Sequence, residues 1–152
     1  MPIHEEQRVL NYNVEQIFDL VIAVDNYPKF LPWCLSASLD CIQKETFDAD
    51  LVIGFKLVQE TFRSRIIFER PYWIEVTPIS GPFSRMYNRW NFECQGLSSC
   101  VVSFHVDFEF KSRLLNTLMG ALFQEAVRRM VGAFEERAQQ LYGKEEVKIR
   151  DR

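Results

Sequence analysis

The residues able to do chemistry are few and poorly spaced for it. His4 and His105 are the only histidines, and neither has a Ser, Cys or carboxylate partner at a spacing that would pair a nucleophile with a base. By strand alternation His105 turns away from the apolar side of its segment and reads as a solvent-facing histidine. Neither suits a metal cluster. The carboxylate pairs Glu5-Glu6, Glu135-Glu136 and Glu145-Glu146 fall on an edge strand, a polar helix face and a charged tail, where solvation is expected. Gly54, Gly81 and Gly96 stand alone, so no glycine-rich phosphate loop is present. Cys34, Cys41, Cys94 and Cys100 contain no CxxC pair, and the start MPIHEEQR has neither signal-peptide nor transit-peptide character, so they read as reduced thiols in a cytoplasmic chain. No catalytic residue, metal ligand or cofactor is assigned.

Three features stand above that background. YPKFLPWC, from Tyr27 to Cys34, concentrates aromatic side chains in a stretch too punctuated by proline for a central strand, and reads as a lid over one end of the core. GPFSRMYNRW, from Gly81 to Trp90, is a turn entering a strand, with Phe83 and Met86 near its mouth and Arg85 and Arg89 outside. Aromatic and apolar residues beside these turns, Phe30, Leu31, Trp33 and Phe83, are expected to dock on a membrane surface, and the two arginines to meet solvent or anionic headgroups. Arg137 falls inside an apolar stripe, where an arginine snorkels or meets a carboxylate. The net charge of −3 with scattered basic residues argues against a nucleic-acid surface.

The elements that hold these residues follow from periodicity. From Ser112 to Tyr142, apolar residues including Leu118, Met119, Leu122, Phe123, Val127, Met130 and Phe134 recur at three- and four-residue steps, giving one stripe on a helix roughly 40 Å long. Gly120 lies at the edge of that stripe, where a missing side chain would admit a strand or a ligand. The charged segment after Gly143 cannot cover it, so the strand-rich region before it must. Asn13 and Gln16 form a capping box that opens a helix over Val14 to Val24, and Pro28 and Pro32 limit the next stretch to short helical turns. From Leu35 to Phe110 the period is two, broken by turn signals at Phe47-Asp48, near Pro71, at Ser80-Gly81-Pro82 and at Gln95 to Ser99. Connections this short favour antiparallel neighbours. The fold class is therefore α+β: a strand, two short helices, about six antiparallel strands and a long helix in one domain over residues 1–143, with a charged tail over 144–152. No apolar run approaches the ~20 residues needed to span a bilayer. A curved sheet around a straight helix leaves room for an apolar ligand on its concave side.

Four blocks in this order, IFDLVIAVDNYPKFLPWC (Ile17 to Cys34), LVIGFKLVQETFRSRI (Leu51 to Ile66), GPFSRMYNRWNF (Gly81 to Phe92) and FEFKSRLL followed by AFEERA, resemble the coenzyme Q-binding proteins of the START-like, polyketide-cyclase and lipid-transport superfamily. The resemblance runs from about Ile3 to Tyr142. It implies a helix-grip fold, an apolar tunnel, and binding of a polyprenyl quinone (ubiquinone) in support of respiration or quinone biosynthesis, without catalysis. One departure from the family is expected to matter: its mitochondrial members begin with a targeting sequence and this chain begins almost at its first strand, so it reads as a bacterial relative, in the cytoplasm or at the inner-membrane face, and a mitochondrial address is not carried over. Matched to this sequence, the lid or tunnel residues are Tyr27, Phe30, Leu31, Pro32 and Trp33. Inward alternation adds Phe55, Phe62, Trp90 and Phe104, and the stripe adds Met119, Leu122, Phe123 and Met130.

Each isoprene unit gains roughly 3–4 kcal/mol on leaving water, by the per-methylene rule, and the bilayer offers the same gain. Selectivity must then come from tunnel shape and from hydrogen bonds to the quinone carbonyls, for which inward-facing Ser64 and Asn88 are the donors expected. The same resemblance carries two alternatives. One is a toxin-like protein that blocks association of ribosomal subunits, which the acidic composition disfavours. The other is a cyclase, which would need inward acid and base groups where the inferred positions are mostly apolar.

Overall fold

The computed structural model describes residues 3–55 and 58–143, with the side chains of Phe55 and Val58 outside the described part. Lys56, Leu57 and the charged tail lie outside it, as does the side chain of Phe55 as a tunnel candidate. The chain runs β1 (Ile3–Leu10), α1 (Val14–Ile22), a 3-10 helix (Val24–Lys29), β2 (Cys34–Asp40), β3 (Thr46–Phe55), β4 (Val58–Glu69), β5 (Trp73–Ser80), β6 (Phe83–Gly96), β7 (Ser99–Phe110) and α2 (Arg113–Tyr142). The seven strands form one sheet in the order β1-β7-β6-β5-β4-β3-β2. Every pairing is antiparallel, as the short connections require. At the turn before β6, a Cβ on Gly81 would lie 2.4 Å from the Phe62 Cβ, so only glycine lets the turn close on β4.

Asn13 caps α1 with the expected capping box. The helix stops at Ile22 rather than Val24 because Pro28 has no N–H to donate to the Val24 carbonyl, and a tighter 3-10 helix takes over. Ser112 caps α2 by accepting from the Leu115 N–H at 3.2 Å, and α2 buries Met119, Phe123, Val127, Phe134 and Ala138. Gly120 is exposed, with nothing within 4 Å of where a Cβ would stand. It admits neither strand nor ligand, because it sits on the solvent side of the stripe rather than at its buried edge.

Two further expectations are corrected. Phe47-Asp48 is not a turn; the turn is Cys41 to Glu45, and β3 runs through the pair. Phe47 faces the core, while Asp48, only 3% exposed, is held on the convex face by Arg65 at 3.0 Å and Arg63 at 3.3 Å. Paired carboxylates of this kind are compatible with a strand in a way that an isolated Asp is not. Glu6 is not solvated like Glu5. β1 turns His4 and Glu6 inward, His4 Nε2 lies 2.8 Å from Glu6 Oε1, Glu6 also meets Arg8, and Arg8 crosses to Glu135 on α2 at 2.8 Å.

The convex face is a charge-balanced surface. Arg63 bonds Asp50 at 2.8 Å and Asp40 at 3.0 Å, and Arg85 bonds Asp107 and Glu109, each at 2.9 Å. Arg65 beside Asp48, and Arg63 beside Asp40, hold both carboxyls below the usual aspartate range. Their contribution to stability is therefore present above the unfolded aspartate pKa of about 3.9 and is lost as pH falls through the lowered folded values. In thermal melts, wild type is expected to lose stability steeply below about pH 4. Asp48→Asn should be less stable at pH 7 and lose less between pH 7 and pH 3; equal losses would contradict this role for Asp48.

Candidate functional site: an apolar cavity between sheet and helix

The inward side chains of β6 and β7 and the buried face of α2 are large but do not mesh along their whole length. Two cavities of about 190 Å³ each remain. The first lies under the N-terminal half of α2 and is lined by Met86, Met119, Phe123, Val127 and Phe62, with Asn88 and Trp33. The second lies between β1, α1 and the C-terminal half of α2, and is lined by Tyr12, Leu20, Val21, Trp90 and Phe134, with Glu6, Arg8 and Glu135. Phe104 and Met130 line both. An apolar cavity of about 150 Å³ holds one benzene ring, so each space has room for one substituted ring or a comparable length of hydrocarbon.

The walls are fixed by aromatic contacts. Phe83 stacks on Phe110 at 5.0 Å and meets the edge of Phe62 at 5.3 Å, while Phe108 packs on Phe123 at 5.3 Å. Phe134 receives Tyr27 at 5.5 Å, Phe30 at 5.3 Å and Trp90 at 5.4 Å, and Trp90 lies 4.4 Å from Phe104. Against this apolar lining, the Trp33 Nε1 donor and the Asn88 Oδ1 acceptor are buried without a hydrogen-bond partner. Buried polar atoms are normally satisfied, and leaving one unmade costs about 1–3 kcal/mol. Both belong to residues that line the first cavity, but the two atoms themselves are covered by their neighbours and do not face it.

The candidates read from sequence divide by position. Trp33, Phe62, Asn88, Met119 and Phe123 line the first cavity, Trp90 the second, and Phe104 and Met130 both. Tyr27 and Phe30 line neither, but buttress Phe134; the Tyr27 hydroxyl donates to the Val21 carbonyl, and burial pushes its pKa well up. Leu31 is 2% exposed and Ser64 1% exposed; both are core residues outside the two cavities, and Leu31 is unavailable to a membrane. Phe30, Trp33 and Phe83 are half-buried and packed into the core clusters rather than projecting from a turn. Leu122 is half-buried and lines neither cavity, since the neighbouring stripe positions Phe123 and Met119 occupy the centre of the helix face. Arg137 lies with its guanidinium 5.2 Å from the Phe30 ring centroid, its Nε buried and unpartnered.

Sequence reasoning missed the second cavity, whose polar wall includes Glu6 and Arg8, at alternate positions of β1, and Glu135 on α2. The signal was present in that period of two, but masked by charges that suggested a solvated edge. Burial pushes the Cys34 and Cys100 thiols up to about 11, which keeps both protonated and unsuited to nucleophilic work at neutral pH. Among the described residues no group of three or more His, Cys, Asp or Glu is placed to hold a metal ion, and no helix is long and apolar enough to cross a membrane.

A family model described as polyketide cyclase / dehydrase and lipid transport matches residues 10–135. The mitochondrial coenzyme Q-binding protein COQ10 homolog B of Xenopus laevis is 35% identical over 151 residues; the match covers 96% of this chain but 62% of that protein, less than two thirds of its length. The ribosome association toxin RatA of Pseudomonas aeruginosa is 31% identical over 139 residues, covering 91% of this chain and 96% of that one. An 18 kDa protein of Caulobacter crescentus with a known solution structure is 36% identical, with a TM-score of 0.76 over 95% of this chain and 100% of that one.

Phe134 carries three ring contacts between the cavities and the lid segment. Phe134→Ala is expected to cost about 3–5 kcal/mol in urea unfolding; a loss under about 1 kcal/mol would mean that the lid packs without it.

Proposed function

The chain belongs to the polyketide cyclase / dehydrase and lipid transport family, and we propose that it binds a polyprenyl quinone of the ubiquinone type, with the ring in the cavity beside Asn88. The observation that carries this reading is a ring-sized apolar space between sheet and helix, lined by aromatic and methionine side chains with Trp33 and Asn88 as its polar-bearing residues. An isoprenoid tail gains almost nothing on moving from bilayer to protein, because both are apolar, so recognition falls to the ring and its oxygens. The first tail units pass Phe104 and Met130, which border both spaces, and enter the cavity lined by Tyr12 and Leu20. The similarity to a coenzyme Q-binding protein supports the ligand class. In this reading the protein is a carrier or chaperone that collects quinone at a membrane surface and serves respiratory or biosynthetic enzymes. It binds rather than converts: the polar groups of the ring cavity are an indole and an amide, neither of which transfers protons near neutral pH.

Lipids extracted from purified, membrane-stripped protein should contain near-stoichiometric quinone by mass spectrometry. Ala126→Trp, which puts an indole into the ring cavity, should hold at least tenfold less while remaining folded. Wild type without quinone, and without saturable binding of added quinone, would overturn the reading.

The near full-length match to a ribosome association toxin favours a second reading, that the protein acts on ribosomal subunits. The convex face supports it poorly, since Arg63, Arg65, Arg85 and Arg89 are each paired with carboxylates rather than free for phosphates. Overexpression should leave the ratio of free subunits to joined ribosomes unchanged if quinone binding is the function; accumulation of free subunits would favour the second reading.

A further inference from the structure

Resting on the reading of a carrier that collects quinone at a membrane, we propose that the protein docks on an anionic bilayer through one end of its sheet, where the start of β2, the β5–β6 turn and the β7–α2 junction meet. The antiparallel order brings these segments to the same end. There the Lys111 N–H donates to the Pro82 carbonyl at 2.8 Å, and the Gly54 N–H to the Trp33 carbonyl at 2.8 Å. Ile3, which opens β1 opposite Asp107, stands at this end as well.

Apolar side chains are left in solvent along it: Leu114 is 76% exposed, Leu35 and Ile3 52% each, and Ile79 44%. Beside them stand Lys111 and Arg113, both exposed and, among the described residues, without a carboxylate partner. This sets them apart from Arg63, Arg65, Arg85 and Arg89, whose charges are answered within the convex face. Residues 80–83 and 110–114 contain no carboxylate. The first turn of α2 has no acidic residue either, so the positive end of the helix dipole adds to the two cations.

Exposed aliphatic side chains among unpaired cations match a bilayer, which takes the former between its headgroups and the latter against their negative charge. RNA would answer the cations but not the leucines and isoleucines, because unpaired bases are held by stacking on aromatic rings and guanidinium planes. The opposite end of the sheet also exposes apolar side chains, Ile42, Tyr72 and Leu97. Its connections carry Glu15, Glu45 and Glu69, which an anionic surface repels. Phe83, the first residue of β6, and Phe110, the last of β7, both line the ring cavity, so docking by the basic end sets that cavity against the headgroups.

The test is sedimentation of the full chain with sucrose-loaded vesicles, either of phosphatidylcholine alone or of an equal mixture with phosphatidylglycerol. Wild type should bind the mixed vesicles, bind phosphatidylcholine at least tenfold more weakly, and lose affinity as salt is raised. Each basic side chain near an anionic surface strengthens binding about fivefold, so Lys111→Gln with Arg113→Gln should bind about 25-fold more weakly. Leu114→Gln, at an exposed position where folding is not at stake, should lose about tenfold, and Lys44→Gln at the opposite end should bind like wild type. Equal binding to both vesicles, or affinity unchanged in the double variant and in Leu114→Gln, would overturn the inference. So would binding of ribosomal subunits that the double variant loses while wild type ignores vesicles, which would make the patch an RNA contact. Titration of each protein with a one-isoprene ubiquinone analogue separates the two proposals. Failure of docking with quinone binding intact overturns this inference alone, whereas docking as described without quinone binding supports the surface and overturns the carrier reading.

Discussion

The apolar face of α2 is the constraint from which the other features follow. A 30-residue helix that buries Met119, Phe123, Val127, Phe134 and Ala138 needs a partner along most of its length. The chain supplies a seven-stranded antiparallel sheet curved around it. A twisted sheet and a straight rod cannot interlock everywhere, and the large rings at Phe104, Phe108 and Trp90 hold the two surfaces apart where meshing fails. The cavities are thus a by-product of how the helix is covered. Phe104 and Met130 stand at the border of both.

Much of this was legible in the residues. The stripe on α2, its Ser112 cap, the Asn13 capping box and the period of two in the strands each depend on local spacing, and local spacing is what a sequence displays. Four blocks in family order carried the membership and the fold. What was not legible depended on partners far away in the chain. Asp48 reads as a turn residue until Arg63 and Arg65 are known to stand across from it. Glu6 and Arg8 read as solvated until the Arg8 guanidinium is seen to reach Glu135 on α2. Leu122 and Phe123 both belong to the stripe, and one helical position, about 100° of rotation, decides that Phe123 lines the cavity and Leu122 does not. Proline punctuation and aromatic content suggested an exposed lid, yet they cannot report that Leu31 is folded under it.

The site differs from the surrounding core in polarity more than in shape. Other inward polar groups of this fold are paired, as His4 is with Glu6 and Tyr27 with the Val21 carbonyl, Arg137 Nε apart. Beside the first cavity, behind its apolar surface, an amide oxygen and an indole N–H are left without partners. Such atoms destabilise the folded protein unless something meets them.

The most direct measurement is a set of intermolecular nuclear Overhauser effects between a bound short-tail ubiquinone and protein carrying 13C-labelled methionine methyl groups. Met86, Met119 and Met130 all border the ring cavity, so the ring methyl and methoxy protons of the ligand should give cross-peaks to Met86 and Met119. No cross-peak from a saturated complex to any of the three methionines would place the ligand outside the cavity and contradict the account.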